Sequence, residues 1–254
     1  MVVTSKTTLS MEVDGARLVT TSGCDFIPAV FVKDSRIEAQ TCDFRSYDNG
    51  SGPSTPGLSL YRSVAQLARC KVRGSSNPSP TPALMGLRAD QSTVVLRGDG
   101  ASTYVGGISG TWQAPGLQGT ATSDLYLDPA IGIQGGIVGF RNVQAGRLPC
   151  LTIQGGQLGG TMTAELYAPA GDGFVVLVGL PGDPVPLPPF GELLVDPGSL
   201  FPVAAGSLGS TEHVFVRMPV PPWPVLRGLA VSCQTLSGPG TMLCLGNHAV
   251  TVLR

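Results

Sequence analysis

Three ionisable residues fall at equivalent places near the start of the chain. Asp25 and Asp43 lie in two copies of CDF, at 24–26 and 42–44, and Lys71 lies in CKV at 70–72. Carboxylates stacked in a column are raw material for acid–base chemistry, because inverting glycoside hydrolysis needs two carboxyl groups with room for a water between them. Strand alternation turns these three residues outward, however, where a solvated charge ladder is the expected outcome. Six cysteines, Cys24, Cys42, Cys70, Cys150, Cys233 and Cys244, contain no C-x-x-C, and His213 and His248 are the two histidines. A zinc site would have to be assembled from distant segments, so no metal or other cofactor is expected. Cys24, Cys42 and Cys70 read as buried thiols in one column, with a disulfide between coils as the alternative. Cys233 and Cys244 flank SGPG (237–240), a turn that would set them opposite each other, and they form the disulfide candidate in an oxidising compartment. Asp48 in YDNGSG is the one calcium-like turn, and Asn-Gly turn chemistry accounts for it better. The RGD at 97–99 fits chance in a chain rich in Arg and Gly. No nucleophile elbow, phosphate loop or dinucleotide fingerprint is present, so no catalytic residue is assigned.

The elements that position such residues follow from composition. Gly 35 and Pro 22 of 254 residues disfavour long helices, while 42% hydrophobic and 13% charged residues describe an ordered, turn-rich, all-β chain. A net charge of −1 provides no basic excess to displace counterions, which argues against nucleic-acid binding. No apolar run reaches the roughly 18 residues needed to span a bilayer. The opening, MVVTSKTTLSMEVDG, lacks the apolar core and cleavage site of a signal peptide and reads as a strand already under way, with Leu9, Met11 and Val13 alternating. The expectation is a fragment whose first coil is uncapped and prone to self-association.

A repeat organises the first 140 residues. Segments opening PAVFV (28), PGLSL (56), PALMGL (82) and PGLQG (115) are each followed by a serine-led segment, SRIEA (35), SVAQL (63), STVVL (92) and SDLYL (123). The second and fourth residues after each serine are all apolar, which is the mark of a short strand with one buried face. CDF (42–44) and CKV (70–72) add a third strand to the first two units, placing Cys42 over Cys70 and Phe44 over Val72. Three strands per unit predict a parallel β-helix of four to five coils over 1–140. LYRSVAQLARC (60–70) also fits helical spacing, but its alignment with STVVL decides for strand. The extra residues fall at 45–55, 73–81 and 98–114, after the third strand, and so form one row of loops. That row presents Tyr47, Asp48 and Asn49, then Arg73 and Asn77, then Asp99, Tyr104 and Trp112. Aromatic faces among polar side chains suit a polysaccharide or cell-surface glycan.

From 147 to 254 the repeat gives way to about seven turn-bounded segments. Met162, Ala164 and Leu166 alternate, as do Val214, Val216 and Met218, which predicts an antiparallel, Ig-like β-sandwich. The matching pattern comprises Ser35, Cys42, Gly57, Leu58, Ser63, Cys70 and Gly74 in the repeats. In the second half it comprises Leu158, Gly159, Gly160, Thr161, Gly228, Leu229, Gln234 and Asn247. On these residues the chain resembles secreted or surface proteins of planctomycete-like bacteria, in which a right-handed, pectate-lyase-like β-helix carries a C-terminal sandwich. The chain departs from that pattern at Cys244 and His248. The resemblance implies an extracellular or cell-surface setting and a structural, adhesive or glycan-binding role. A polysaccharide lyase or hydrolase of the same class, its catalytic coils outside this chain, is the alternative. The N-T-D, D-D, G-H-G and R-x-K motifs of polygalacturonases are absent from the sequence.

Overall fold

The first two full circuits each turn on two residues with left-handed backbones, and the third on one. Asp34, Arg62 and Gln91 have φ of 48°, 47° and 49°, and Thr41 and Arg69 have φ of 51° and 52°. Such conformations cost a non-glycine residue on the order of 1 kcal/mol, and the next side chain offsets the strain. The hydroxyls of Ser35, Ser63 and Ser92 each donate to the carbonyl two residues back, on Lys33, Tyr61 and Asp90. The thiols of Cys42 and Cys70 do the same to Gln40 and Ala68 at the other corner. In CDF (42–44) and CKV (70–72) the cysteine is therefore a corner residue. The following charge faces outward and the following bulky residue faces in.

The structure is a computed structural model, and it describes residues 30–46, 56–76, 84–98, 101–109, 111–239 and 243–254. Before these it describes the backbones of Val2–Val3, Met11–Asp14, Arg17–Thr20 and Asp25–Phe26. The chain divides into two compact units, Met1–Gly146 and Arg147–Arg254. Among the described residues there is no α-helix, and a single 3-10 turn spans Pro224–Leu226.

The first unit consists of three parallel sheets. One full circuit contributes Val30–Lys33 to the first, Arg36–Gln40 to the second and Asp43–Arg45 to the third. The next circuit lays Leu58–Tyr61, Val64–Ala68 and Lys71–Arg73 beside them in parallel. Leu87–Asp90, Thr93–Arg97 and Thr103–Val105 follow, then Leu117–Gln118, Asp124–Leu127 and Gly132–Gln134. Ile37, Ala65, Val94 and Leu125 are register partners in turn and are all fully buried. The 60–70 stretch is two strands, because Arg62 turns the chain between them. The three third strands that the sequence predicts, at 24–26, 42–44 and 70–72, belong to a third sheet of five, joined by Thr103–Val105 and Gly132–Gln134.

Serine binds one circuit to the next. Ser35 N–H donates to Ser63 Oγ at 3.2 Å, Ser63 N–H to Ser92 Oγ at 3.1 Å and Ser92 N–H to Ser123 Oγ at 3.2 Å. Gly57, Gly86 and Gly116, before the first strands of the three later circuits, let the backbones close up. A Cβ on Gly57 or Gly116 would lie 2.5 Å from the carbonyl oxygen of Arg73 or Tyr104, well inside van der Waals contact.

The second unit is antiparallel. Cys150–Gly155, Thr161–Tyr167 and His213–Pro219 form one sheet, and Phe201–Ser207, Gly173–Gly179, Ala230–Gly238 and Cys244–Val252 form another. Leu151, Ile153, Ala164 and Leu166 from the first share an apolar core with Val176, Val178, Cys233 and Ala249 from the second. Two buried amides tie further elements on. Gln234 accepts from Leu194 N–H at 2.8 Å and donates to Glu192 O at 2.8 Å, securing the hairpin of Pro181–Leu187 and Gly191–Val195. Asn247 grips both the N–H and the C=O of Leu151, each at 2.7 Å.

Candidate functional site

The loop row comes together only in part. Tyr47, Asp48, Asn49, Asn77 and Asp99 lie outside the described residues. Arg73 is exposed at the end of Lys71–Arg73, in register between Arg45 and Val105. Trp112 is 51% exposed on Trp112–Gln113, which pairs antiparallel with Ile108–Ser109. Tyr104 requires a correction. It is fully buried, in register between Val72 and Ile133, and offers no face to a ligand. The stretch 98–114 contains the third strand of its circuit, and alternation along Thr103–Val105 turns the middle residue inward. Asp43 and Lys71 are register neighbours, and the Asp43 carboxylate receives Arg45 at 2.5 Å.

The proposed disulfide is a second correction. The two nine-residue strands Ala230–Gly238 and Cys244–Val252 do form a hairpin, but Cys233 pairs with Ala249 and Cys244 with Ser237. Cys233 sits well inside its strand and points into the core, where burial pushes its thiol up to about 12. Cys244 is exposed beside the turn, its thiol 3.4 Å from the Ser237 carbonyl. Cys24 lies outside the described residues. Among the described residues no three His, Cys, Asp or Glu side chains gather as a metal site, and no helix is long and apolar enough to cross a membrane.

A surface that the sequence reading passed over lies on the outer side of the Thr161–Tyr167 and His213–Pro219 pair. Met162, Ala164 and Leu166 point into the core, so Thr163, Glu165 and Tyr167 point out. Opposite them in register stand Arg217, Phe215 and His213. The rings form a row, with the His213 centroid 5.7 Å from that of Tyr167 and 5.4 Å from that of Phe215. The Tyr167 hydroxyl donates to the Glu165 carboxylate. His213 Nδ1 lies 2.9 Å from the Thr211 carbonyl oxygen, which makes Nδ1 the protonated nitrogen. Phe215 is 53% exposed at the centre of its strand. Beside it runs a groove of about 400 Å³, lined by Gln154, Gly155, Thr161, Thr163, Phe215 and Arg217.

This surface combines one bare aromatic face, hydroxyl and amide groups, and a guanidinium on strands held by regular ladders. Such a set recognises a flat molecule with apolar and hydrogen-bonding faces. The same alternation that revealed the core positions was the available signal: reading 163, 165, 167 and 213, 215, 217 as a second set gives the outer face. Searches against protein-family models and against curated proteins find no match to this chain.

Proposed function

We propose that this protein is a secreted or surface-associated scaffold that binds glycans, and that it acts as a structural or adhesive component rather than as a catalyst. On this reading the first unit is a right-handed parallel β-helix of the pectate-lyase-like kind, and the second is an Ig-like β-sandwich. Stacked parallel circuits and facing antiparallel sheets support that assignment. The observation that carries the function is the placement of exposed aromatic rings among polar groups on regular strands, Phe215 above all. An aromatic half in water forgoes burial that is worth about 25 cal/mol per Å², and exposed apolar surface rimmed by polar groups marks interaction sites. Self-association through the first coil belongs to the same proposal. It concerns residues 1–10, which lie outside the described residues except for the backbone of Val2–Val3.

Affinity electrophoresis of the full chain in gels containing acidic or neutral polysaccharides tests the reading. The expected result is retardation without release of shorter sugars. Migration unchanged in every gel overturns glycan binding. Release of reducing ends or unsaturated products overturns the scaffold in favour of the alternative, a polysaccharide lyase or hydrolase.

A further inference from the structure

We propose that the outer face around Phe215 and Arg217 binds a negatively charged pyranose, carboxylated or sulfated, as part of an extended glycan. The inference rests on the glycan reading above and adds the site and the charge class. Three observations lead to it. The first is shape. His213, Phe215 and Arg217 are alternate residues on one strand, so their side chains project along about 14 Å, at roughly 3.4 Å per residue. That length suits a chain of sugars, and the adjoining groove of about 400 Å³ falls within the roughly 300–1,000 Å³ typical of ligand sites.

The second observation is the division of labour between rings. Tyr167 and His213 each make a polar contact, to Glu165 and to the Thr211 carbonyl, whereas Phe215 has no polar group and stays open to water. Phe215 is thus the ring available to stack under the C–H face of a sugar. The third is charge. Among the residues lining the groove, Arg217 is the one ionised group, with Gln154, Thr161 and Thr163 beside it. Glu165 stands opposite Phe215 in register, but its carboxylate leans to the Tyr167 hydroxyl, the end of the row away from Arg217. A guanidinium next to an open ring favours an anionic substituent, which it can hold with two parallel hydrogen bonds.

Calorimetric titration of the full chain with polygalacturonate, with its fully methyl-esterified neutral form and with a sulfated galactan separates the outcomes. Phe215→Ala is expected to weaken binding to polygalacturonate about tenfold or more, a factor equivalent to about 1.4 kcal/mol, and Phe215→Tyr to restore it to within about twofold. Arg217→Gln is expected to weaken the acidic ligands by about tenfold and to leave the methyl ester unchanged. Trp112→Ala probes the competing location, the loop row of the first unit. A preference between polygalacturonate and the galactan assigns the anion as carboxylate or sulfate. Wild-type affinity in both Phe215→Ala and Arg217→Gln, with loss in Trp112→Ala, overturns this site and leaves the glycan reading standing. Equal weakening of neutral and acidic ligands in Arg217→Gln overturns the charge assignment. Absence of binding by the wild type to all three overturns this site together with the glycan reading. Should Phe215→Ala fail to fold, the Arg217→Gln and Phe215→Tyr results decide the matter.

Discussion

In the first unit, polar groups come in series: Ser35, Ser63 and Ser92 each donate within their own circuit, and Ser63, Ser92 and Ser123 each accept from the serine before. In the second unit they act singly: Gln234 reaches Glu192 and Leu194, and Asn247 reaches Leu151, with no counterpart to share the task. The difference follows from topology. Stacked parallel circuits bring like residues together, so one side-chain choice repeated in successive circuits serves the equivalent corner of each. Facing antiparallel sheets meet at unlike places, and each gap in backbone pairing needs its own amide. A series degrades gradually, because a removed member leaves its neighbours' other bonds in place. A single clamp exposes unsatisfied backbone groups at once.

The apolar column beneath the serines marks the upper limit of damage in the first unit. Ile37→Asp places an unpaired carboxylate between Ala65 and the column above it and is expected to cost roughly 3–5 kcal/mol in urea denaturation. A cost below about 1 kcal/mol would mean the column is not a core. Next comes the clamp. Asn247→Leu strands both the N–H and the C=O of Leu151 and should cost at least about 2 kcal/mol, at roughly 1–3 kcal/mol for each orphaned group. Ser63→Ala removes the donor to Tyr61 O and the acceptor of one half-buried N–H, that of Ser35, and should cost about 1–2 kcal/mol. If Ser63→Ala proves as damaging as Asn247→Leu, the contrast between series and clamp fails.

The smallest effects lie in acid. Half-buried Asp124 in the first unit is hydrogen-bonded by Arg141 and Asn142, and the Arg141 bond above all lowers its carboxyl below the ordinary 3.8. Asp172 in the second unit is raised above 3.8 by burial. The signs are therefore opposite. Asp124 contributes stability above its unfolded pKa and loses it as pH falls through the folded value. Asp172 contributes below 3.8 and loses it as pH rises through its folded value. Asp172→Asn should raise the melting temperature slightly at neutral pH, with the gain vanishing below about pH 3.8, where both side chains are neutral. Arg141→Gln should instead lower it slightly at neutral pH and converge with wild type in strong acid. Differential scanning calorimetry across pH 2–7 reads both, and a pH-independent difference for Asp172→Asn would rule out titration as its cause.

Local rules sufficed for the repeat. Alternation along SRIEA, SVAQL, STVVL and SDLYL depends on residues two apart, and a left-handed corner followed by serine or cysteine is a contact between residues two apart. Sequence alone therefore determined the proline-led and serine-led strands and their order, the column of Ile37, Ala65, Val94 and Leu125, and the all-β class. Tyr104 was misplaced because one insertion hid a strand whose circuit is longer than its neighbours. The partners of Cys233 and Cys244 turned on where a turn falls and on a register shift between Gln234 and Leu236, and a slip of one residue reassigns every pair. Gln234 and Asn247 stood out as residues, but their acceptors and donors lie 40 and 96 positions away. The surface of Phe215 and Arg217 likewise exists only because His213–Pro219 lands beside Thr161–Tyr167. That choice of neighbour is made by packing two apolar faces against a common core, a long-range free energy that no local spacing encodes.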